Sequence, residues 1–135
     1  MHDLHVKRLR FSREPDTWLR VLKTRTGVTP NLLCRLGFCL SLEEPAVPQP
    51  EQYPEDSDRE INRYTLLGEF DVLFTALLRQ RLNRDNLSPD QMDEQFRAHM
   101  NRGVMLLSGR IRSLSDLAKL LPAVPSLDSR PIQIR

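Results

Sequence analysis

The side chains of this sequence best suited to chemistry are its cations. Eight Lys/Arg stand in residues 1–42 (Lys7, Arg8, Arg10, Arg13, Arg20, Lys23, Arg25 and Arg35) against three acids (Asp3, Glu14 and Asp16). Clustered ammonium and guanidinium groups grip polyanionic backbone, because each neutralised phosphate releases condensed counterions. Lys7, Arg8, Arg10, Lys23, Arg25 and Arg35 are the candidates for phosphate contact, with Arg20 and Arg102 as further basic positions on helices. The competing reading is a solvated charged face, which is what most such runs are. Seventeen of the 20 cations are Arg, whose planar fork of donors suits phosphates and guanine edges. A second basic group, Arg97, Arg102, Arg110 and Arg112, does not fall on one helix face. Pairing with Asp90, Asp93 or Glu94 of a neighbouring subunit is the favoured reading for that group.

Catalytic chemistry finds little support. His99 has no nucleophile or metal motif near it in sequence and reads as a helix-surface or interface histidine. His2, Asp3 and His5 lack a fourth ligand. Cys34 and Cys39 would point about 140° apart on a helix, too far for a shared disulfide or metal. Iron–sulfur clusters usually take four thiolates, and two are present. No paired-carboxylate motif, phosphate-cradling Gly loop or nucleophile elbow occurs, and no cofactor is expected. Asn62-Arg63-Tyr64 stands apart: Asn62 and Arg63 could meet a strand end and Tyr64 could stack on an exposed base. A helix-entry staple is an equal alternative.

The elements that must position these groups are mostly helical. Residues 4–11 read as a short strand in which Leu4, Val6, Leu9 and Phe11 interleave with His5, Lys7, Arg8 and Arg10. Ser12 is an N-cap candidate, with Glu14 and Asp16 in the first turn and Lys23 and Arg25 in the last. Gly27 suits the left-handed position that ends this helix. Thr29-Pro30 opens a second helix along Leu32, Leu33, Leu36, Cys39 and Leu40. Strand, helix, tight turn, helix in about forty residues is the outline of a ribbon-helix-helix unit, in which the strand pairs with its twin in a dimer. Residues 61–82 carry the widest apolar stripe and read as the most buried helix, with Gly68 marking a close helix approach. Ser88-Pro89-Asp90-Gln91 is a capping box. The helix after it runs to about Arg112 along Met92, Phe96, Met100, Val104, Leu107 and Ile111. A last short helix spans about 114–121. The fold class is therefore mainly α: about five helices and a short N-terminal strand.

Residues 1–121 read as one helical domain, and 122–135 as a flexible tail. Within the domain, residues 45–58 hold four prolines and several acids, the composition of an extended, exposed connector. Residues 1–42 carry a net +5, residues 43–60 −6 and residues 61–135 +3, within an overall +2. Hydrophobic content of 39% and aromatic content of 6% allow only a modest core, which oligomerisation would help. Free thiols suit a reducing cytoplasm, and neither a signal peptide nor a membrane span is apparent.

Four strings resemble the DndE family of DNA sulfur-modification proteins: KTRTGVTPNLLCR at 23–35, NRYTLLGEFDVLFTALLRQR at 62–81, FRAHMNRGVMLL at 96–107 and SLSDL at 113–117. They occur in family order and span nearly everything outside the Pro-rich connector and the tail. The resemblance implies a non-enzymatic component of the machinery that replaces a non-bridging phosphate oxygen of DNA with sulfur. It implies a homotetramer that binds duplex DNA, preferentially nicked, through basic surface residues. It implies a cysteine desulfurase, an iron–sulfur protein and an ATPase as the partners that carry the sulfur chemistry. The alternatives are a ribbon-helix-helix regulator reading an operator with His5, Lys7, Arg8 and Arg10, a DNA-nicking enzyme, and a scaffold whose basic faces meet acidic proteins.

Overall fold

The computed structural model describes residues 3–120. The flexible tail expected over 122–135 lies outside them. Strand β1 (Arg8–Arg10) leads into α1 (Arg13–Thr26) and α2 (Pro30–Glu43), and β2 (Glu60–Asn62) into α3 (Arg63–Leu67) and α4 (Asp71–Arg84). Helix α5 (Met92–Arg110) and the short α6 (Leu114–Ala118) complete the described chain. Gly27 adopts φ 73° and its N–H closes α1 on the Lys23 carbonyl at 2.8 Å. Ser88 and Gln91 form the expected capping box, within a 3₁₀ turn (Pro89–Gln91) that feeds α5.

Helix α5 is the hub. Its apolar positions Met92, Phe96, Met100, Val104 and Leu107 are all buried, and Ile111 just beyond it is buried too. Helices α1, α2 and α4 pack around it. The closest crossing is backbone on backbone: a Cβ on Gly103 would stand 2.2 Å from the Gly37 carbonyl carbon, so both glycines are required. Asn101, fully buried on α5, accepts from the Ser12 backbone N–H and donates to the Arg97 carbonyl, which fixes the start of α1.

Three expectations change. First, β1 pairs antiparallel with β2 of its own chain, with Arg8 opposite Asn62 and Arg10 opposite Glu60. Its ladder groups therefore find partners without a twin strand. Second, the stripe over 61–82 is two helices. Gly68 adopts φ 55°, ψ −136°, and a 3₁₀ turn (Gly68–Phe70) separates α3 from α4. Glycine serves there as a break, and Phe70, Val72 and Leu73 end on the surface. Burial is deepest on α5 instead. Third, residues 45–58 form a strap held against the core. Gln95 donates to the Pro48 carbonyl, Arg97 to Tyr53 and Ser12 to Pro54, and Pro48 and Ser57 are buried. Proline carbonyls keep their acceptor capacity, and Gln95 of α5 and Ser12 before α1 use it.

Candidate nucleic-acid interface

The basic N-terminal surface is built on β1 and the outer face of α1. Lys7 and Arg8 are exposed at the strand; Arg8 keeps 72% of its side chain in solvent and lies 3.8 Å from Glu60. Arg10 pairs with the same Glu60 at 3.0 Å and donates to the Ser57 carbonyl. Arg13 continues the line, 81% exposed, with its Nε on the Asp56 carbonyl. Seven residues on, Arg20 presents the same helix face and reaches Asp16 at 3.2 Å while staying 69% exposed. Lys23 follows one turn later and is exposed. Arg25 is exposed at the helix end, turned about 140° from Arg20. Among the described residues, Lys7, Lys23 and Arg25 have no carboxylate within ion-pair distance. Arg84 at the end of α4 and Arg112 after α5 share that state.

Two of the sequence candidates lie elsewhere. Arg35 is half-buried, donates to the Leu66 carbonyl at 2.7 Å and to Thr65, and covers the Phe70 ring. It caps the end of α3, whose own last turn holds no cation. Arg102 donates to the Ser41 hydroxyl and carbonyl, both at 2.8 Å, and to the Ala46 carbonyl. Burial and the neighbouring Arg81 lower its pKa. Arg81 itself is 4% exposed, pairs with Asp85 at 2.8 Å and donates to the carbonyls of Ser41, Leu42, Pro45 and Ala46. Helix α2 has no base in its last turn. Arg81 and Arg102 supply the cations that its negative end favours, and they anchor the strap that follows. Of the other members of the second basic group, Arg97 pairs within the chain with Glu55 and Arg110 with Glu44, while Arg112 has no ion pair among the described residues.

The remaining chemical candidates are mostly structural. His99 is buried rather than on the helix surface, with Nδ1 2.8 Å from the Ser41 hydroxyl and Nε2 meeting no protein partner. Because Arg102 donates to that hydroxyl, the hydroxyl proton is left for Nδ1, which fits a neutral imidazole. Burial, with Arg102 and Arg81 alongside, brings its pKa down to about 3. Cys34 is fully buried and its thiol is pushed up to about 12, whereas Cys39 is exposed. Asn62 caps α3 by accepting from the Thr65 N–H, and Arg63 forks the Asp71 carboxylate with two 2.7 Å bonds. Those bonds raise Arg63 and lower Asp71. Tyr64 alone of that triplet faces solvent, at 86% exposure. Sequence reasoning passed over Arg13 as a site residue, although its seven-residue spacing from Arg20 signals a shared face. Among the described residues no helix is long and apolar enough to cross a membrane.

No curated protein matches the chain. A crystal structure of DndE from Escherichia coli B7A, described as involved in DNA phosphorothioation modification, is similar: 28% identity, TM-score 0.64, covering 77% of this chain and 97% of that one. A glycine-to-lysine double mutant of DndE, described as involved in DNA phosphorothioation, aligns at 26% identity and TM-score 0.61 over 77% of this chain and 98% of its own. The family described as DNA sulphur modification protein DndE matches residues 8–115, most of the helical core and the β1–α1 basic surface from Arg8 onward, and the chain belongs to that family.

Proposed function

We propose that this protein is a non-enzymatic, DNA-binding component of DNA phosphorothioation that acts as an electrostatic clamp on duplex DNA, with preference for a nick. The observation that carries the reading is the exposed, unpaired state of Lys7, Lys23 and Arg25, flanked by Arg8 and Arg20, which keep most of their side chains in solvent. An exposed ion pair such as Arg8–Glu60 contributes little to stability and exchanges readily for phosphate, and Arg20, when it turns to phosphate, leaves the buried Asp16 still paired with Arg59. Arg10 is a weaker contributor because two acceptors hold it. Arg35 and Arg102 take no part, since their donors serve the ends of α3 and α2.

Affinity for a nick comes from the easier bending of DNA there, an indirect readout without base-specific contacts. Tyr64 adds a stacking surface for a base exposed at the nick. Assembly, as a homotetramer in this reading, multiplies the basic patches on one DNA. The iron–sulfur protein and ATPase of the same cytoplasmic pathway are the partners, and sulfur transfer is theirs. The test is a titration of intact and nicked duplexes across a salt series. Binding should weaken steeply with salt and favour the nick. Equal affinity of wild-type and Lys7→Ala, Lys23→Ala protein at every salt concentration would sink the clamp.

A further inference from the structure

Most of the large apolar side chains left exposed gather on one face. Helix α2 turns Leu32, Leu36, Cys39 and Glu43 to solvent, in steps of four, three and four. Helix α4 repeats those steps with Leu73, half-buried Leu77, Gln80 and Arg84. The two helices lie side by side and run the same way: Arg35 covers Phe70 at 5.7 Å, Phe38 stacks on Phe74 at 5.3 Å, and Leu42 shares a concavity with Leu77 and Arg84. The stripes therefore form one continuous surface, to which Phe70 (42% exposed) adds a ring. Alternating four- and three-residue steps are the spacing of helix-bundle seams.

The charges say what covers it. Glu43 is exposed and has no ion pair among the described residues, and it sits at the negative end of α2, where a carboxylate is disfavoured. The first turn of the same helix holds no acid, begins with Pro30, and its cap Thr29 makes no side-chain hydrogen bond. The helix thus carries at one end the charge that its other end lacks, which is the condition for self-complementary pairing about a two-fold axis. We infer that a second copy of this chain docks on the α2–α4 face, with the two α2 helices antiparallel. Leu36 then meets the partner's Cys39, and Glu43 reaches the open N–H groups of the partner's first turn. A parallel arrangement would instead bring the two Glu43 carboxylates together. This deepens the assembly reading above by naming the face that assembles, which holds none of the cations assigned to DNA in that reading.

The natural thiols supply the test. Cys34 is fully buried, so Cys39 is the thiol that reagents can reach. A short bismaleimide added to the full-length protein should produce a covalent dimer, lost in Cys39→Ser. Leu36→Glu should lower the sedimentation mass with unchanged helical circular dichroism. Absence of the covalent dimer in wild-type protein, or an unchanged mass for Leu36→Glu, would overturn the assignment. If Leu36→Glu keeps its mass while Lys7→Ala and Lys23→Ala still weaken salt-dependent DNA binding, the docking face is wrong and the clamp survives. If the dimer forms as described and those lysine variants bind DNA normally, the clamp falls and the docking face stands.

Discussion

Arg8 and Arg20 on the β1–α1 surface, and Arg81 and Arg102 beside the end of α2, are one residue type under opposite constraints. The first two each touch a single carboxylate and keep about 70% of the side chain in water. The second two lie against the core, and together they donate to carbonyls of Ser41, Leu42, Pro45 and Ala46. An exposed pair in high dielectric holds its cation loosely enough for a phosphate to take over. A buried guanidinium must satisfy every donor or carry the desolvation cost of the unsatisfied ones. The difference teaches that basicity in this chain is divided between a solvent-facing surface, where we propose DNA contact, and the bracing of a helix terminus, and that burial and the acceptors around each group separate the two.

Several measurements would break or sharpen that contrast. Arg81→Met should be the most damaging, costing about 3–5 kcal/mol in urea unfolding because it leaves Asp85 as an uncompensated buried charge. A loss below about 1 kcal/mol would mean the bracing role is overstated. Gly103→Ala should cost about 3 kcal/mol, since the new Cβ strikes backbone of α2 that cannot step aside. His99 gives the bracing region a pH signature. Its folded pKa, near 3, lies below the ordinary 6.5, so between those values the unfolded chain binds the extra proton. Stability from this group is complete above about pH 6.5 and declines on acidification toward 3, by at most about 1.4 kcal/mol per pH unit. His99→Gln should flatten that acid limb in unfolding experiments at a series of pH values. On the exposed side, Lys7→Ala and Lys23→Ala should each leave stability within about 0.5 kcal/mol of wild type. Each should also reduce the log–log salt slope of DNA binding by about 0.9. Arg20→Ala should be milder still, because Asp16 retains Arg59 at 2.6 Å when Arg20 is removed.

Much of the scaffold was legible in the residues. The Gly27 stop, the Pro30 start, the capping box at Ser88 and the apolar steps of α5 depend on local backbone preferences and on helical periodicity, which act over a few residues. The 61–82 segment was misread because its periodicity runs straight through Gly68, and only the backbone there shows the break. The strap over 45–58 is largely exposed, as its composition says, but its anchorage was not legible, because the donors that hold it lie on α5 tens of residues away. The partner of β1 was misassigned because β2 is three residues long and follows that same strap. The candidate site divided along similar lines. Arg35 and Arg102 look like their exposed neighbours in sequence, and nothing local records that Leu66 and Ser41 supply their acceptors.

By itself the sequence determined which segments are helices, where most of them start and stop, and that the N-terminal third is basic. Those properties come from side-chain size, backbone freedom and charge within one or two turns. The tertiary structure decided which cations remain available, which apolar stripe stays uncovered, and that His99 is neutral and enclosed. Those outcomes turn on contacts between residues 31 to 61 positions apart, whose energies no local pattern encodes.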